Sequence, residues 1–163
     1  MKEIVFVTYQ TGFKDNDKLM EIGAVELDEN CELTGDTFHT YINPQRSISR
    51  NSTQIYGLNR RFLKNAPIFE EIKNNLLEFI VGKRLIIPSW EHDLDFLERE
   101  FGFELPNIKI DINILGSVID NKEKERIWHQ ILTMKKAYIP YRRALENAYN
   151  HAIYYRELMK QFA

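Results

Sequence analysis

The chain has 163 residues, of which 44% are hydrophobic and 28% are charged. These proportions are typical of a soluble globular protein and exclude a disordered, fibrous or membrane-embedded chain. The formal net charge of −2 and the pI near 6.1 exclude the uniformly basic surface that non-specific duplex binding needs, so any nucleic-acid site is expected to be local. The length predicts a single domain over residues 1–163.

Two features of the sequence bear on its location. Cys31 is the only cysteine, which excludes an internal disulfide and predicts a plain thiol in a reducing compartment. The N-terminal segment lacks a long apolar core and a small-residue cleavage pattern, which favours a first strand over a signal peptide. No run approaches the roughly 20 apolar residues of a membrane span. We therefore expect a cytoplasmic protein without membrane contact.

The first part of the chain predicts three strands. β-Branched and aromatic residues fill positions 3–9, and the turn-forming pair Thr11-Gly12 follows them. Two further apolar runs cover residues 20–27 and 36–43, with a polar segment between them. This arrangement indicates an antiparallel three-stranded meander.

The remainder of the chain predicts helices that alternate with two short strands. Apolar residues recur with a helical period over residues 67–81, and the short run 84–88, which ends in a proline, favours a buried strand. Residues 91–102 predict a helix that a glycine closes, 107–112 predict the last strand, and a C-terminal helix begins near Pro140. The order predicts an α/β protein with a mixed sheet, an architecture that hosts many functions.

Four segments carry a resemblance to a known family. They are IVFVTYQTGF (4–13), the run from EIGAVE to TFHTYINP within 21–49, IYGLNRRFLKNAPIFEEI (55–72) and RRALENA (142–148). They resemble, in this order, four motifs of the DnaQ-like (DEDDh) 3′-5′ exonucleases, a family that includes the exonuclease domain of DNA polymerase III epsilon subunits. The family motifs are IVLDTETTG, EIGAVE with TF-x-x-Y-(I/L)-x-P, VHGL, and H-x-A-x-x-D-A. The resemblance implies an RNase H-like fold, a mixed five-stranded sheet flanked by helices.

The resemblance also implies a two-metal chemistry in which carboxylates hold Mg²⁺ or Mn²⁺ for phosphodiester hydrolysis. The first motif of the family places an aspartate and a glutamate two residues apart, so that both point to the same face of the strand. Val7 and Tyr9 occupy these positions here. Valine cannot bind a metal ion, and a phenol with a pKa of about 10 is a poor ligand at neutral pH.

The other catalytic positions lie in the second and third motifs. Asp93 is retained, although Trp90 stands where the family has a small alanine. Arg142 and Asn147 replace the general-base histidine and the last aspartate. Arginine cannot act as a base, because its pKa exceeds about 12, and asparagine lacks the charge. Glu146 is an unsuitable substitute, because a shift of one residue on a helix turns the side chain by roughly 100°.

With four of the five positions changed, we expect no family-type hydrolysis and no bound metal, with Asp93 as a weak metal candidate. Mg²⁺ or Mn²⁺ would be needed only if the chain were an enzyme that joins Asp93 to residues outside the family set. Asp111, Glu91, Asp95 and His151 are the candidates for that role.

The altered cleft has lost three carboxylates and gained Arg142, so metal-free phosphate binding becomes a physical option. Aromatic rings of Tyr9, Tyr56 and Trp90 could stack on bases, or they could fill the emptied pocket. The candidate nucleic-acid contacts are Thr11, Tyr56, Trp90, Arg142 and Arg143. Lys135, Lys136, Tyr138 and Tyr141 extend the basic and aromatic character near the third motif, unless this is an ordinary exposed helix face.

Three hypotheses follow. The leading one is a non-catalytic exonuclease-like module that binds single-stranded nucleic acid or a replication or repair protein. The second is a 3′-5′ nuclease that uses Asp93 with unconventional partners, and the third is a scaffold with an occluded cleft. Epsilon subunits continue past the exonuclease domain into a polymerase-binding segment, so binding of a polymerase by that route is not implied for this chain.

Overall fold

The computed structural model describes residues 1–133 and 143–163. Within these residues the strands are β1 (Glu3–Gln10), β2 (Leu19–Leu27), β3 (Leu33–Tyr41), β4 (Arg84–Ile87) and β5 (Lys109–Asp111). They form one sheet in the order β3-β2-β1-β4-β5. β2 is antiparallel to both of its neighbours, β1 and β3, whereas β4 and β5 run parallel to β1. The predicted meander and the mixed five-stranded sheet are confirmed.

Helices cover both faces of this sheet. They are α1 (Arg50–Tyr56), α2 (Arg60–Leu63), α3 (Phe69–Ile80), α4 (Asp95–Phe101), α5 (Ile112–Ser117), α6 (Asn121–Thr133) and α7 (Arg143–Lys160). A π-helical turn, Trp90–Leu94, joins β4 to α4. None of the described helices has both the length and the apolar composition that crossing a bilayer demands.

The side chains of β1 alternate between two hydrophobic clusters, as the two-residue period of a strand requires. Val5, Val7 and Tyr9 face a cluster that includes α7, whereas Ile4 and Phe6 face a cluster that includes α3 and α4. Both faces of the central strand are therefore buried, which is why the strand is nearly continuously apolar.

Gly23 of β2 lets α7 come very close to the sheet. A β-carbon at this position would lie 2.2 Å from the backbone nitrogen of Leu145 and 2.4 Å from the carbonyl carbon of Ala144. Only a residue without a side chain permits this approach. Gly23 pairs with Val7 in the sheet, so the contact fixes the start of α7 directly over the site described below.

Two parts of the secondary structure differ from the sequence prediction. β3 begins at Leu33 because Asp28 closes a tight loop, accepting hydrogen bonds from the backbone nitrogens of Asn30 and Glu32. The short helices α1 and α2 were not predicted, although Ser49 and Asn59 cap their N-termini. The helix start predicted at Pro140 lies outside the described residues.

Candidate functional site

The candidate site lies at the end of β1, where α7, α1 and the π-helical turn meet the sheet. Val7 and Tyr9 point to the α7 side of β1, and each side chain is only 7% exposed. Val7 is opposite Gly23 in the sheet and belongs to the hydrophobic cluster that includes α7. The valine therefore serves as a core residue of the central strand.

Tyr9 joins three elements of the site. Its ring stacks on the ring of Tyr56 from α1, with centroids 4.2 Å apart and planes inclined by 17°. Its hydroxyl accepts a hydrogen bond from the side-chain amide of Asn147 on α7. The phenol is neutral at physiological pH, and burial, together with the negative charge of Glu21, raises the pKa of Tyr9 further above its ordinary value.

Glu21 holds the start of α7 beside this tyrosine. It pairs with Tyr9 across the sheet, and its buried carboxylate accepts a hydrogen bond from the backbone nitrogen of Ala144 at 3.2 Å. The Nε2 atom of His39 lies 2.9 Å from the same Oε1 atom. A carboxylate at the first turn of a helix is favoured by the exposed backbone amides there, so Glu21 positions the helix that carries Asn147.

Asp93 occupies the edge of β1 that β4 leaves unpaired. β4 pairs with β1 only over Glu3–Val5, and beyond that point the Oδ1 atom of Asp93 accepts hydrogen bonds from the backbone nitrogen of Thr8 at 2.7 Å and from its hydroxyl at 3.1 Å. The aspartate is 4% exposed, and burial raises its pKa to about 7. Its contacts satisfy backbone groups of the sheet, a role that needs no metal ion.

A chain of hydrogen bonds connects Tyr56 to Asp93. The hydroxyl of Tyr56 donates to Oε1 of Gln10 at 3.2 Å, and Nε2 of Gln10 donates to the hydroxyl of Thr8 at 2.6 Å and to the carbonyl oxygen of His92 at 3.0 Å. The Thr8 hydroxyl then reaches Asp93. Burial and the charge of Asp93 raise the pKa of Tyr56 to about 12, so both tyrosines of the stack are uncharged.

These residues do not fit the two-metal site that the resemblance implies. Hard divalent ions need several oxygen ligands, preferably charged ones. Residues 7, 9 and 147 provide a hydrocarbon, a neutral phenol and an amide, and the phenol and the amide bond to each other. Within residues 1–133 and 143–163, no three His, Cys, Asp or Glu side chains are grouped so that they could hold a metal ion.

A cavity of about 290 Å³ opens next to this network. It is lined by Glu21, Tyr41, Gly57, Leu58, Asn59, Phe62 and Arg143. The guanidinium of Arg143 packs against Gly57, where a β-carbon would lie 2.7 Å from its NH2 atom. The positive charge of Arg143 also acts on Tyr9, where it offsets part of the rise in pKa that burial causes. The cavity therefore combines one cation, one carboxylate and aromatic edges.

Comparison with known proteins assigns this architecture to a family. The model of the exonuclease family RNase_T matches residues 8–151. The chain belongs to the RNase_T exonuclease family. Because the match runs from Thr8 to His151, it includes the end of β1, the π-helical turn and the first half of α7, which carry the residues of the site.

Relatives and solved structures agree with this assignment. The chain is 36% identical over 125 residues to the DNA polymerase III subunit epsilon of Buchnera aphidicola, and this match covers 73% of the chain. It is 37% identical over 122 residues to the DNA polymerase III subunit epsilon of Rickettsia felis, and this match covers 74% of the chain. The matches cover 52% of each relative, so the chain spans about half the length of the epsilon subunits it matches.

Two solved structures have the same fold. The nuclease domain of 3′hExo, a DEDDh family member bound to rAMP, superposes with a TM-score of 0.71 at 16% identity, covering 98% of this chain and 92% of that one. The zinc-bound Escherichia coli ExoI–ssDNA complex superposes with a TM-score of 0.78 at 11% identity, covering 99% and 40%. The RNase H-like exonuclease fold is thereby confirmed.

Within the exonuclease fold, the predicted nucleic-acid contacts differ in exposure. Thr11 is fully buried, and its hydroxyl donates to Asp17 at 2.7 Å and accepts from the backbone nitrogen of Lys18 at 3.0 Å. It stabilises the β1–β2 loop and has no side-chain surface left for a ligand. Trp90, by contrast, is 42% exposed, so it does not fill the pocket that Tyr9 fills.

Other predicted residues lie away from the network or outside the described chain. Asp111 caps α5 by accepting from the backbone nitrogen of Asn113 at 2.8 Å, and Glu91 and Asp95 are exposed. His151 is largely buried against Trp128, and burial lowers its pKa to about 4. Five predicted residues of the third-motif region lie outside the described residues: Arg142, Lys135, Lys136, Tyr138 and Tyr141.

The sequence analysis missed two members of the site, Gln10 and Glu21. Gln10 follows Tyr9 and shares a strand face with Thr8 by the two-residue period, but its partner Tyr56 comes from α1. Glu21 is directly opposite Tyr9 in the predicted meander, so the pairing of the first two strands could have identified it. Phe13, 46% exposed and 5.0 Å from the ring of His92, was also missed.

Proposed function

We propose that this chain is a non-catalytic member of the exonuclease family whose altered cleft binds single-stranded nucleic acid, in a process linked to DNA replication or repair. One observation carries the proposal: Tyr9, stacked on Tyr56 and bonded to Asn147, stands where the family motif has a metal-binding carboxylate. A neutral aromatic network in that place removes the ligands that hydrolysis requires and also removes negative charge that repels phosphate.

Exposed aromatic side chains near the end of β1 support the binding role. Trp90 and Phe13 are 42% and 46% exposed, and Phe13 lies against the ring of His92. Stacking of a base on an aromatic ring contributes about 1–3 kcal/mol and tolerates any base. The guanidinium of Arg143, which lies at Gly57, supplies a cation for a phosphate group.

The comparisons favour nucleic acid as the ligand class. Solved structures with this fold include Exonuclease X in complex with 5′ overhanging duplex DNA and ExoI with single-stranded DNA. The relatives named as subunits of DNA polymerase III support a link to replication or repair and a protein partner from that machinery. A cytoplasmic location is part of the same proposal.

The burial of Tyr9 favours a second candidate, a scaffold with an occluded cleft. Tyr9 is 7% exposed and fully engaged by Tyr56 and Asn147. A cleft filled in this way would leave the fold intact for protein contacts alone. Exposed rings such as Trp90 and Phe13 serve protein interfaces as well as bases, so oligonucleotide binding, and not exposure, distinguishes the two candidates.

The test combines a nuclease assay with a binding assay. Purified protein is incubated with 3′-labelled single-stranded DNA and RNA in Mg²⁺ or Mn²⁺, beside an Asp93→Ala variant, and we expect no cleavage. Binding of the same oligonucleotides is then measured by fluorescence anisotropy for the wild type, for the double variant Trp90→Ala/Phe13→Ala and for a control, Phe162→Ala, which removes a 51% exposed ring elsewhere.

Each outcome separates the candidates. The binding proposal predicts salt-dependent binding. The double variant should weaken this binding by about tenfold or more, and Phe162→Ala should leave it unchanged. Cleavage that disappears in Asp93→Ala would show that the chain is an enzyme. If the protein neither cleaves nor binds the oligonucleotides, the scaffold is the remaining candidate.

A further inference from the structure

One segment of the chain carries a net positive charge because it lacks acidic residues. Residues 37–69 contain five basic residues and no Asp or Glu, whereas the rest of the chain has 17 Lys and Arg against 24 Asp and Glu and carries a formal charge of −7. The five are Arg46, Arg50, Arg60, Arg61 and Lys64. Such a separation of charge on a chain with a net charge of −2 indicates a local anion-binding surface.

The fold brings four of these cations to one groove, which we call the α2 groove. Its volume is about 400 Å³. It is lined by Asn43, Pro44, Gln45, Arg46, Arg60, Arg61, Leu63 and Lys64. Its two walls are tied together, because the backbone nitrogen of Asn43 donates to the carbonyl of Pro67 at 2.8 Å and its side-chain amide donates to the carbonyl of Lys64 at 3.3 Å. The backbone segments that carry the cations are therefore held next to each other without a ligand.

Three of the four groove cations form no ion pair with the described residues. Arg60, Arg61 and Lys64 are exposed, and no ion pair forms to them from the residues that the structure describes. Arg46 is the exception, with its NH2 atom 3.4 Å from Asp17. Like charges gathered on one groove repel one another, so the arrangement favours an anionic ligand that neutralises several of them together.

An aromatic ring identifies the kind of anion. Phe62 lies between Arg61 and Lys64 in sequence and is 48% exposed. It also lines the neighbouring cavity that contains Arg143, so α2 separates the cavity beside the cleft from the α2 groove. Cations interleaved with an exposed aromatic ring are typical of surfaces that hold a single strand by its phosphates and stack on its bases. An acidic peptide would use the cations but not the ring.

We propose that the α2 groove binds the phosphodiester backbone of a single-stranded nucleic acid that extends from the cleft across α2. This inference rests on the proposed function and extends it. The cleft takes one end of the strand, and Arg46, Arg60, Arg61 and Lys64 take phosphates several nucleotides away.

The test removes three cations from the groove and compares this loss with an equal loss elsewhere. The groove variant is Arg60→Gln/Arg61→Gln/Lys64→Gln. The control is Lys122→Gln/Arg126→Gln/Lys160→Gln on α6 and α7, which changes the net charge by the same amount. Binding of a labelled oligothymidylate of about 20 nucleotides is measured by anisotropy over a salt series. Circular dichroism and a thermal melt establish that each variant is folded.

We expect the groove variant to lose salt dependence as well as affinity. Each phosphate contact to a single strand contributes about 0.7 to the slope of log K against log salt, so loss of three contacts reduces the slope by about 2 and the affinity at about 0.1 M salt on the order of 100-fold. The control should leave the slope within about 0.5 of the wild-type value. A shorter oligonucleotide of about 4 residues, confined to the cleft, should bind both variants equally.

The outcomes distinguish this inference from the proposed function. If the wild type binds the oligonucleotide and the groove variant matches the control, the groove assignment is wrong and the proposed function stands. If the wild type binds no oligonucleotide at any salt concentration, both are wrong. Groove-dependent binding of polyglutamate without binding of the oligonucleotide would overturn the assignment to nucleic acid.

Discussion

Asp93 offers the sharpest quantitative prediction, because its buried carboxyl group should make stability depend on pH. Its pKa is raised by burial to about 7, against about 3.9 in an unfolded chain. At about 1.4 kcal/mol per pKa unit, ionisation of Asp93 in the folded state costs on the order of 4 kcal/mol at pH values above both pKa values. The folded state holds the proton more tightly than the unfolded state, so the free energy of unfolding falls as pH rises from about 4 to about 7.

The variant Asp93→Asn should remove this dependence and keep the contacts. An asparagine oxygen can accept from the backbone nitrogen and hydroxyl of Thr8, as the Oδ1 atom of Asp93 does at 2.7 and 3.1 Å. We therefore expect the variant to be as stable as the wild type near pH 4 and more stable by on the order of 3–4 kcal/mol near pH 8.

Urea unfolding at several pH values measures this difference. His151, whose pKa burial lowers to about 4, destabilises the fold as pH falls below about 6.5, but it does so in both proteins and cancels in the comparison. Asp95→Asn, a change at an exposed neighbour, is the control and should leave the curve unchanged. Parallel pH profiles for wild type and Asp93→Asn would refute the assignment of a buried, proton-holding carboxyl.

Three further predictions test the packing of the site. Gly23→Ala should lower the free energy of unfolding, measured with urea, by about 3 kcal/mol or more, because the new β-carbon would overlap the α7 backbone. The control Gly35→Ala should lower it by about 1 kcal/mol, because Gly35 has a φ of +94° and no atom within 4 Å of the new β-carbon. Tyr56→Phe, which keeps the stack on Tyr9 and leaves Gln10 without its donor, should cost about 1 kcal/mol, and a larger loss would mean that the ring had moved. Replacing EDTA with about 5 mM Mg²⁺ at constant ionic strength should leave the melting midpoint unchanged, whereas an ion at 100 times its Kd would stabilise the fold by about 2.7 kcal/mol.

Much of the fold could be predicted from the sequence, because its signals are local. The alternation along β1 and the helical stripe of α3 arise from periods that a single segment displays, and Gly102 closes α4 in the left-handed conformation, as a C-terminal glycine predicts. α1 and α2 are too short to display a period, and only their capping residues Ser49 and Asn59 mark them.

The site was predictable in its positions but not in its contacts. The two-residue period places Val7 and Tyr9 on one face, and the structure agrees. The stack of Tyr9 on Tyr56 and the bond to Asn147 join β1, α1 and α7, which no local pattern relates. For the same reason, the sequence did not indicate that Tyr9 would be buried while Trp90 remained exposed.

The side chains at the positions where the resemblance implies carboxylates also set the charge of the site. Tyr9 and Tyr56 are neutral at physiological pH, and burial raises the pKa of each further. The pKa of Asp93 is raised to about 7, so a large part of the molecules hold its proton near neutral pH. Below neutral pH, protonation of Asp93 therefore removes one negative charge from the end of β1 and leaves Glu21 as the carboxylate opposite Tyr9. A phosphate placed there would oppose ionisation of Asp93, so oligonucleotide binding should weaken as pH rises from about 6 to about 8. In Asp93→Asn this pH dependence should weaken, and an unchanged pH dependence would show that ionisation of Asp93 does not cause it.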